Sequence, residues 1–298
     1  MDDPTLWKGI SQVHGLPSLT YHRYIPAYPL NLYVDYFYYL DGPMSFPQER
    51  ILPLPCLDLK INLGGAMKVY AADSTDQFET LRDSWCVGLY GIYHRLDWSP
   101  AVKLFGIRLK PSGAYPFLRL PLSELHNRVV SLKVIWGRLA TEIREQLADA
   151  STIRAGFTRL EQRLLAHLDE VPPGLALVQD ATGRITQCHG AVAIHALSDR
   201  LGISQNHLGN QFKQLVGVTP KELARLIRFE YVLHTINPLR PINWAHIAHE
   251  CGYYDQAHFN KDFVAFTGYT PTDYLPHRRR AQLKNAVPSL SLRDLPID

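Results

Sequence analysis

Residues 201–223, LGISQNHLGNQFKQLVGVTPKEL, and residues 251–274, CGYYDQAHFNKDFVAFTGYTPTDY, carry one pattern twice. From His207 onward the copies match at a constant offset of 51. His207 pairs with His258, Leu208 with Phe259, Phe212 with Phe263, Gly217 with Gly268, and Thr219-Pro220 with Thr270-Pro271. Ahead of the turn the offset is 50, which aligns Leu197, Leu201 and Gly202 with Ile247, Cys251 and Gly252. One extra residue in the second turn accounts for the difference. Repetition at this spacing indicates two copies of one supersecondary unit.

Each copy predicts helix, glycine turn, helix. Gly202 and Gly252 stand where a helix must stop and the chain turn left-handed. Ser204 and Asp255 supply acceptors that cap the next helix. In those second helices, expected over about 204–216 and 255–266, Leu208 with Phe212 and Phe259 with Phe263 form a buried face. The opposite face holds Gln205, Asn206, Asn210 and Gln211 in copy one, and Gln256, Asn260 and Lys261 in copy two. Asn and Gln pair bidentately with adenine edges, and Lys reaches guanine acceptors or phosphate, so this is a helix-turn-helix pattern. An all-helical interaction module with no nucleic-acid role is the competing reading. Thr219-Pro-Lys-Glu222 fits a capping box that opens a connecting helix over 220–236, ended by Asn237-Pro238. A rigid connector suits two units that read successive major grooves, roughly 34 Å apart.

These residues resemble the DNA-binding domain of AraC/XylS-type transcription regulators. The second copy there reads I-A-x-x-x-G-F-x-D-x-x-x-F-x-R-x-F-K and ends in G-x-x-P. The matching residues are Ile247, Ala248, Gly252, Tyr253, Asp255, Phe259, Lys261, Phe263, Gly268 and Pro271. The resemblance covers roughly residues 185–278. It implies base contacts at Asn206, Gly209 and Asn210 in the first recognition helix, and at Gln256, Asn260 and Lys261 in the second. Asn210 and Lys261 stand where the family usually has Arg, which removes a bidentate guanine contact at both and points to a more A·T-tolerant or weaker readout from the first unit. LPLPCLDLKINLGG and GIRLKPSGAYPFL are similar to the N-terminal domain of one subgroup, a cupin-like domain. The implied partners are double-stranded DNA, with a small-molecule effector, RNA polymerase and a second copy of the chain left open.

Upstream, residues 1–120 are rich in proline, tyrosine and short apolar runs. LYVDYFYYL (32–40), LDLKINLGG (57–65), SWCVGLYGIY (84–93) and VKLFGIRL (102–109) predict strands. Residues 123–148 and 151–168 carry helical spacing. The expected fold is therefore a β-rich α+β domain, a barrel or sandwich plus two helices, over 1–170. A linker over 171–183 follows, with a break at DEVPPG (169–174). An all-α tandem helix-turn-helix domain over 184–284 and a loose tail over 285–298 complete the chain.

Charge agrees with a polyanion partner in the C-terminal part. Lys plus Arg and Asp plus Glu are 18 against 18 over residues 1–174, but 12 against 7 over 184–284, where eight of the thirteen histidines also lie. The cluster His277-Arg278-Arg279-Arg280 is either a phosphate contact or a solvated helix end. The N-terminus is acidic, where a signal peptide is basic, and no apolar run approaches a membrane span, so a cytosolic protein with no membrane partner is expected.

Enzyme signatures are missing. No G-x-S-x-G, P-loop, H-E-x-x-H or dinucleotide fingerprint occurs, and His14, His22, His94 and His126 form no H-x-H pair. Cys56, Cys86, Cys188 and Cys251 are scattered, which suggests neither disulfides nor a zinc site. His246 and His249 share a helix face and could both point at one metal, with His258 further on, but copy one repeats only His258, as His207, so no metal or cofactor is expected. The aromatic residues Tyr33, Tyr36, Phe37, Tyr38, Tyr39, Tyr90, Tyr93 and Trp98 either fill the sheet core or line a ligand pocket. The expected function is a non-enzymatic DNA-binding transcription regulator. The alternative is a small-molecule-binding or enzymatic N-terminal domain whose helical module no longer binds DNA.

Overall fold

The computed structural model describes residues 10–12, 19–44, 47–70, 76–168, 171–284 and 294–296; in 10–12, 280–284 and 294–296 only the backbone is described. His14 and residues 169–170, 285–293 and 297–298, on which expectations fell, lie outside the described residues.

The strands are β1 (Ile10–Gln12), β2 (Thr20–Tyr24), β3 (Val34–Gly42), β4 (Gln48–Ile51), β5 (Leu57–Asn62) and β6 (Met67–Tyr70). They continue with β7 (Phe78–Leu81), β8 (Ser84–Val87), β9 (His94–Asp97), β10 (Val102–Leu109), β11 (Val129–Ser131) and β12 (Asp294–Pro296). The helices of the first part are α1 (Tyr115–Leu118), α2 (Leu132–Trp136), α3 (Arg138–Ala148) and α4 (Ile153–His167). Those of the second are α5 (Leu175–Gln187), α6 (Ile194–Arg200), α7 (Gln205–Leu215), α8 (Pro220–Thr235), α9 (Trp244–Glu250), α10 (Gln256–Thr267) and α11 (Pro271–Lys284).

Two antiparallel sheets face each other, one ordered β1-β2-β3-β10-β5-β8-β11 and the other β12-β4-β9-β6-β7. Alternation along the central strands assigns each side chain a layer. Tyr36, Tyr38 and Leu40 of β3, Leu104 of β10 and Trp85 of β8 point toward the second sheet, with Met67, Val69 and Leu96 opposite. Phe37, Tyr39, Leu59, Ile61, Cys86, Phe105 and Ile107 point the other way, onto α1, α3 and α4. There Phe105 meets Phe157 edge-on and Phe37 stacks on it. The first sheet is therefore buried on both faces, which is why LYVDYFYYL is apolar or aromatic at every position except the exposed Asp35. The aromatic residues Tyr33, Tyr36, Phe37, Tyr38 and Tyr39 are all buried.

The expected β-rich α+β part followed by an all-helical tandem repeat is the observed architecture. Several details differ from expectation. The run 123–148 is not one helix: Val129–Ser131 pairs with β8, and Gly137 at φ +57° separates α2 from α3. Residues 175–183 of the expected linker are helix α5, which buries Leu175, Val178, Ala181 and Ile185. Those residues recur every three or four positions, so α5 packs as core beside α7 and α8. The tail is not wholly loose, because Asp294–Pro296 pairs with β4. Residues 88–93 are not strand, and the unforeseen β2, β4, β6, β7 and β9 are short or lie in the second sheet.

Candidate nucleic-acid interface

Both repeats fold as their capping residues require. In the first, α6 ends into Gly202 at φ +67°, a conformation that strains any residue with a Cβ. The Ser204 hydroxyl then accepts from the His207 N–H at 3.1 Å to start α7. In the second, α9 ends into Gly252 at φ +73°, and the Asp255 carboxylate accepts from the His258 N–H at 2.7 Å to start α10. Leu208, Phe212 and Leu215 line the buried face of α7, and Phe259, Phe263 and Phe266 that of α10.

Helix α8 joins the units and is fixed at its start by the expected capping box. The Glu222 carboxylate accepts from the Thr219 N–H and hydroxyl, both at 2.8 Å, and the Glu222 N–H returns a bond to the hydroxyl at 3.2 Å. Burial raises the Glu222 pKa, but these two donors outweigh it and hold the carboxyl below its ordinary range. Leu223, Leu226, Ile227, Val232, Leu233 and Ile236 are buried, joined by Phe229, which meets Phe263 of the second unit edge-on and Phe266 at a tilt.

The two units are also tied across α8. Arg228 donates to the Gly190 carbonyl at 2.6 Å ahead of α6, while its guanidinium lies over the Tyr253 ring of the second unit. A Cβ on Gly252 would come within 2.7 Å of Ala191 Cβ, so the second turn rests on the approach to the first. Arg225 of α8 clasps Asp262 of α10 through Nη2 at 2.7 Å and Nε at 3.2 and 3.3 Å. Asp262 is 2% exposed, and His258 stands 3.8 Å from it on the same helix. Nothing in the sequence flags this pair, because its members lie 37 residues apart.

The residues expected to read DNA fall into two groups. Gln205, Asn206, Asn210, Gln256 and Lys261 are exposed, whereas Gly209 and Asn260 are half-buried. Gln211, placed on the same face by sequence, is half-buried, and its Oε1 is buried with no hydrogen-bond partner among the described residues. Tyr254, unnoticed in the sequence, is 94% exposed in the turn before α10. No atom lies within 4 Å of where a Cβ on Gly209 would stand. Gly209→Ala is therefore expected to stabilise the protein by about 0.5–1 kcal/mol in urea unfolding, through helix propensity alone.

The β-rich part grips the far ends of the same helices. Arg50 of β4 donates to the Thr267 carbonyl at 2.7 Å, at the C-terminus of α10, and its guanidinium is flanked by Tyr93 and Tyr269. Gly217, just past the C-terminus of α7, packs so closely on Leu122 that a Cβ would meet its carbonyl at 2.8 Å. The N-terminal halves of both helices, where Gln205, Asn206, Gln256 and Lys261 sit, stay exposed.

Two other expectations resolve differently. Of the basic cluster, Arg278 is 4% exposed, Arg279 donates to the Pro238 carbonyl at 2.6 Å, and His277 stacks on Tyr269. Arg278 is thus packed inward, whereas Arg279 stays exposed beside its bond to Pro238. His246 points to Glu250 at 3.7 Å, and no group of three His, Cys, Asp or Glu residues suited to a metal exists among the described residues. No described helix is long and apolar enough to cross a membrane.

Comparison with known proteins places this geometry. Residues 197–277 match the family described as "Helix-turn-helix domain", and residues 22–131 match "Domain of unknown function (DUF6597)". The HTH-type transcriptional activator RhaS of Escherichia fergusonii is 31% identical over 83 residues, which are 28% of this chain. The match spans only 30% of the length of that relative. Among solved structures, ToxT from Vibrio cholerae aligns over 80% of this chain and 95% of its own, at 12% identity and a TM-score of 0.42. An oxalate decarboxylase from Lactobacillus farciminis aligns over 35% of this chain and 31% of its own, at 7% identity and a TM-score of 0.26. Both structural likenesses are too loose to bear on function. The tandem units, their glycine turns and the family match over 197–277 together make the C-terminal part of this chain a helix-turn-helix domain, as the resemblance to AraC/XylS-type regulators implies.

Proposed function

We propose that the protein is a sequence-specific DNA-binding transcription regulator that presents α7 and α10 to successive major grooves. The observation that carries this reading is the shared orientation of the two helices. Each has its N-terminal half exposed and its C-terminal end held by the β-rich part. The N-terminal half of a recognition helix is the part that meets base edges. Gln205, Asn206, Gly209 and Asn210 read the first groove, and Gln256, Asn260 and Lys261 the second. Asn260, being half-buried, contributes less than its neighbours. The Tyr254 hydroxyl is placed to meet a phosphate beside the second groove.

In this reading the β-rich part receives an effector, and its contacts with both recognition helices pass the signal on. RNA polymerase and a second copy of the chain remain as partners to be tested by pull-down and by light scattering.

Selection of genomic fragments on the full-length protein tests the reading. Bound fragments should share a site with two half-sites about one helical turn apart on one DNA face, and affinity should fall steeply with salt. Binding no better than to bulk DNA at low salt sinks the proposal. Lys261→Ala is expected to cost about 1–3 kcal/mol at one or two base pairs of the selected site. A uniform loss over all sequences, with a shallower salt slope, would instead make Lys261 a phosphate contact.

A further inference from the structure

Between the two sheets lies a cavity of about 100 Å³. Its walls are apolar and aromatic, with Tyr36, Met67, Trp85, Tyr90, Trp98 and Leu104 among them. One patch is charged: Asp58, Lys60 and Arg108 all reach it. Asp58 takes Arg108 Nη2 at 3.0 Å and Lys60 Nζ at 3.1 Å, and it also accepts from the Tyr38 hydroxyl at 3.0 Å. Burial raises the Asp58 pKa, but Arg108, Lys60 and the hydrogen bonds from Lys60 and Tyr38 outweigh it and hold the carboxyl below its ordinary value.

Two cations therefore share one carboxylate, which leaves one positive charge in excess at this patch. Arg108 Nε is buried with no hydrogen-bond partner among the described residues, although Nη1 reaches Cys56 Sγ at 3.3 Å. Of the other ionisable groups nearby, the Glu230 carboxyl is raised above its ordinary range by burial, which favours its neutral form. Burial pushes the Cys56 thiol up to about 11, and burial followed by Lys60 takes His94 down to about 3, so both are neutral near pH 7. His94 also keeps a buried Nδ1 without a partner. A buried guanidinium nitrogen without an acceptor is costly and stands ready for one.

We propose that this cavity is a binding site for a compact monocarboxylate with an apolar or aromatic body, whose carboxylate is taken by Arg108. Planar carboxylate and guanidinium match in shape, and the aromatic walls accept the body. The size matters too. A cavity of roughly 150 Å³ holds one benzene ring, so a ring-sized acid needs modest parting of the walls and a long acyl chain needs much more. The proposal deepens the effector reading above, and rests on it only for its consequence in DNA binding.

That consequence follows from where Arg108 looks next. Its charge also acts on Glu230 of α8, whose carboxyl is pushed up by burial, drawn down by Arg108 and pushed up by Asp35. A bound carboxylate would compete with the Glu230 carboxyl for this charge, so DNA binding measured with and without the acid tests whether the site is coupled to the helix that joins the two units.

Calorimetry and thermal shift on the full-length protein test the site with benzoate, phenylacetate and isovalerate, each beside its matched amide and amine, and with inorganic phosphate. At least one of the acids is expected to bind and raise the melting temperature. Its amide should bind roughly tenfold more weakly or worse, as the loss of a charged hydrogen bond requires. Arg108→Lys should weaken the acid several-fold, because it keeps the charge but loses the fork. The site is wrong if none of the acids binds, if amide, amine or phosphate binds as well as the acid, or if folded Arg108→Lys binds unchanged. The amide comparison uses unaltered protein and needs no variant to fold. DNA binding measured alongside separates the two readings. Acid binding without DNA binding removes only the regulator, and DNA binding without acid binding removes only the site.

Discussion

Replacing Arg225 with alanine is expected to destabilise the C-terminal domain by about 3 kcal/mol, the low end of the cost of orphaning a buried charge. Asp262 is 3% exposed at its side chain, whereas Arg225 is 34% exposed, so the variant strands the carboxylate more than it frees the cation. The bidentate geometry gives Arg225 Nη2 and Nε to one carboxyl group, and this bonding raises the Arg225 pKa above its usual value. Chemical unfolding of Arg225→Ala, Asp262→Leu and the double variant forms a cycle that isolates the pair. The double variant should recover much of the loss, since it no longer buries a lone carboxylate. A loss below about 1 kcal/mol in Arg225→Ala would show an ordinary surface ion pair. Because Asp262 sits in the middle of α10, DNA binding should fall with stability and recover in the double variant.

Asp58→Asn is expected to cost about 3–5 kcal/mol in the N-terminal part, by leaving Arg108 and Lys60 facing each other in the cavity without their carboxylate. The pH dependence has a definite sign. The folded pKa of Asp58 lies below its unfolded value, so the carboxylate contributes in full above the unfolded value, about 3.9. Its contribution is lost as pH falls through the lower folded value. Urea midpoints of wild type and Asp58→Asn should therefore differ by a constant amount from pH 7 down to about 5 and converge below about pH 4. A gap that stays constant to pH 3 would assign the loss to packing instead of charge.

The second of these sites was invisible to sequence reading for a physical reason. LDLKIN and VKLFGIRL identify β5 and β10 through their apolar residues, but the register between strands decides which polar residues meet. Antiparallel pairing of Arg108 with Asp58 across β10 and β5 creates the charged patch, and a slip of one residue between the strands would put the two on opposite faces. The same pleat decided which tyrosines of Tyr36, Phe37, Tyr38 and Tyr39 line a cavity and which pack on helices. The short strands of the second sheet, such as FETL with only Leu81 buried, carry too little hydrophobic signal to be found alone.

The sequence by itself determined the tandem helix-turn-helix part, because its signals are local. Glycines that must turn left-handed, Ser204, Thr219 and Asp255 as caps, and apolar residues four apart all act within one or two helical turns. They placed α7 and α10 to within a residue at most ends, and the observed exposure of Gln205, Asn206, Asn210, Gln256 and Lys261 agrees with the face inferred for them. Only the tertiary structure decided that α5 belongs to the core and that Arg225 clasps Asp262. It alone brought Arg50 and Leu122 to the ends of both recognition helices, and gave a buried Arg108 an unfilled nitrogen in an apolar cavity. Those arrangements join residues tens to hundreds of positions apart, and chain distance carries no trace of them until the sheets and helices pack.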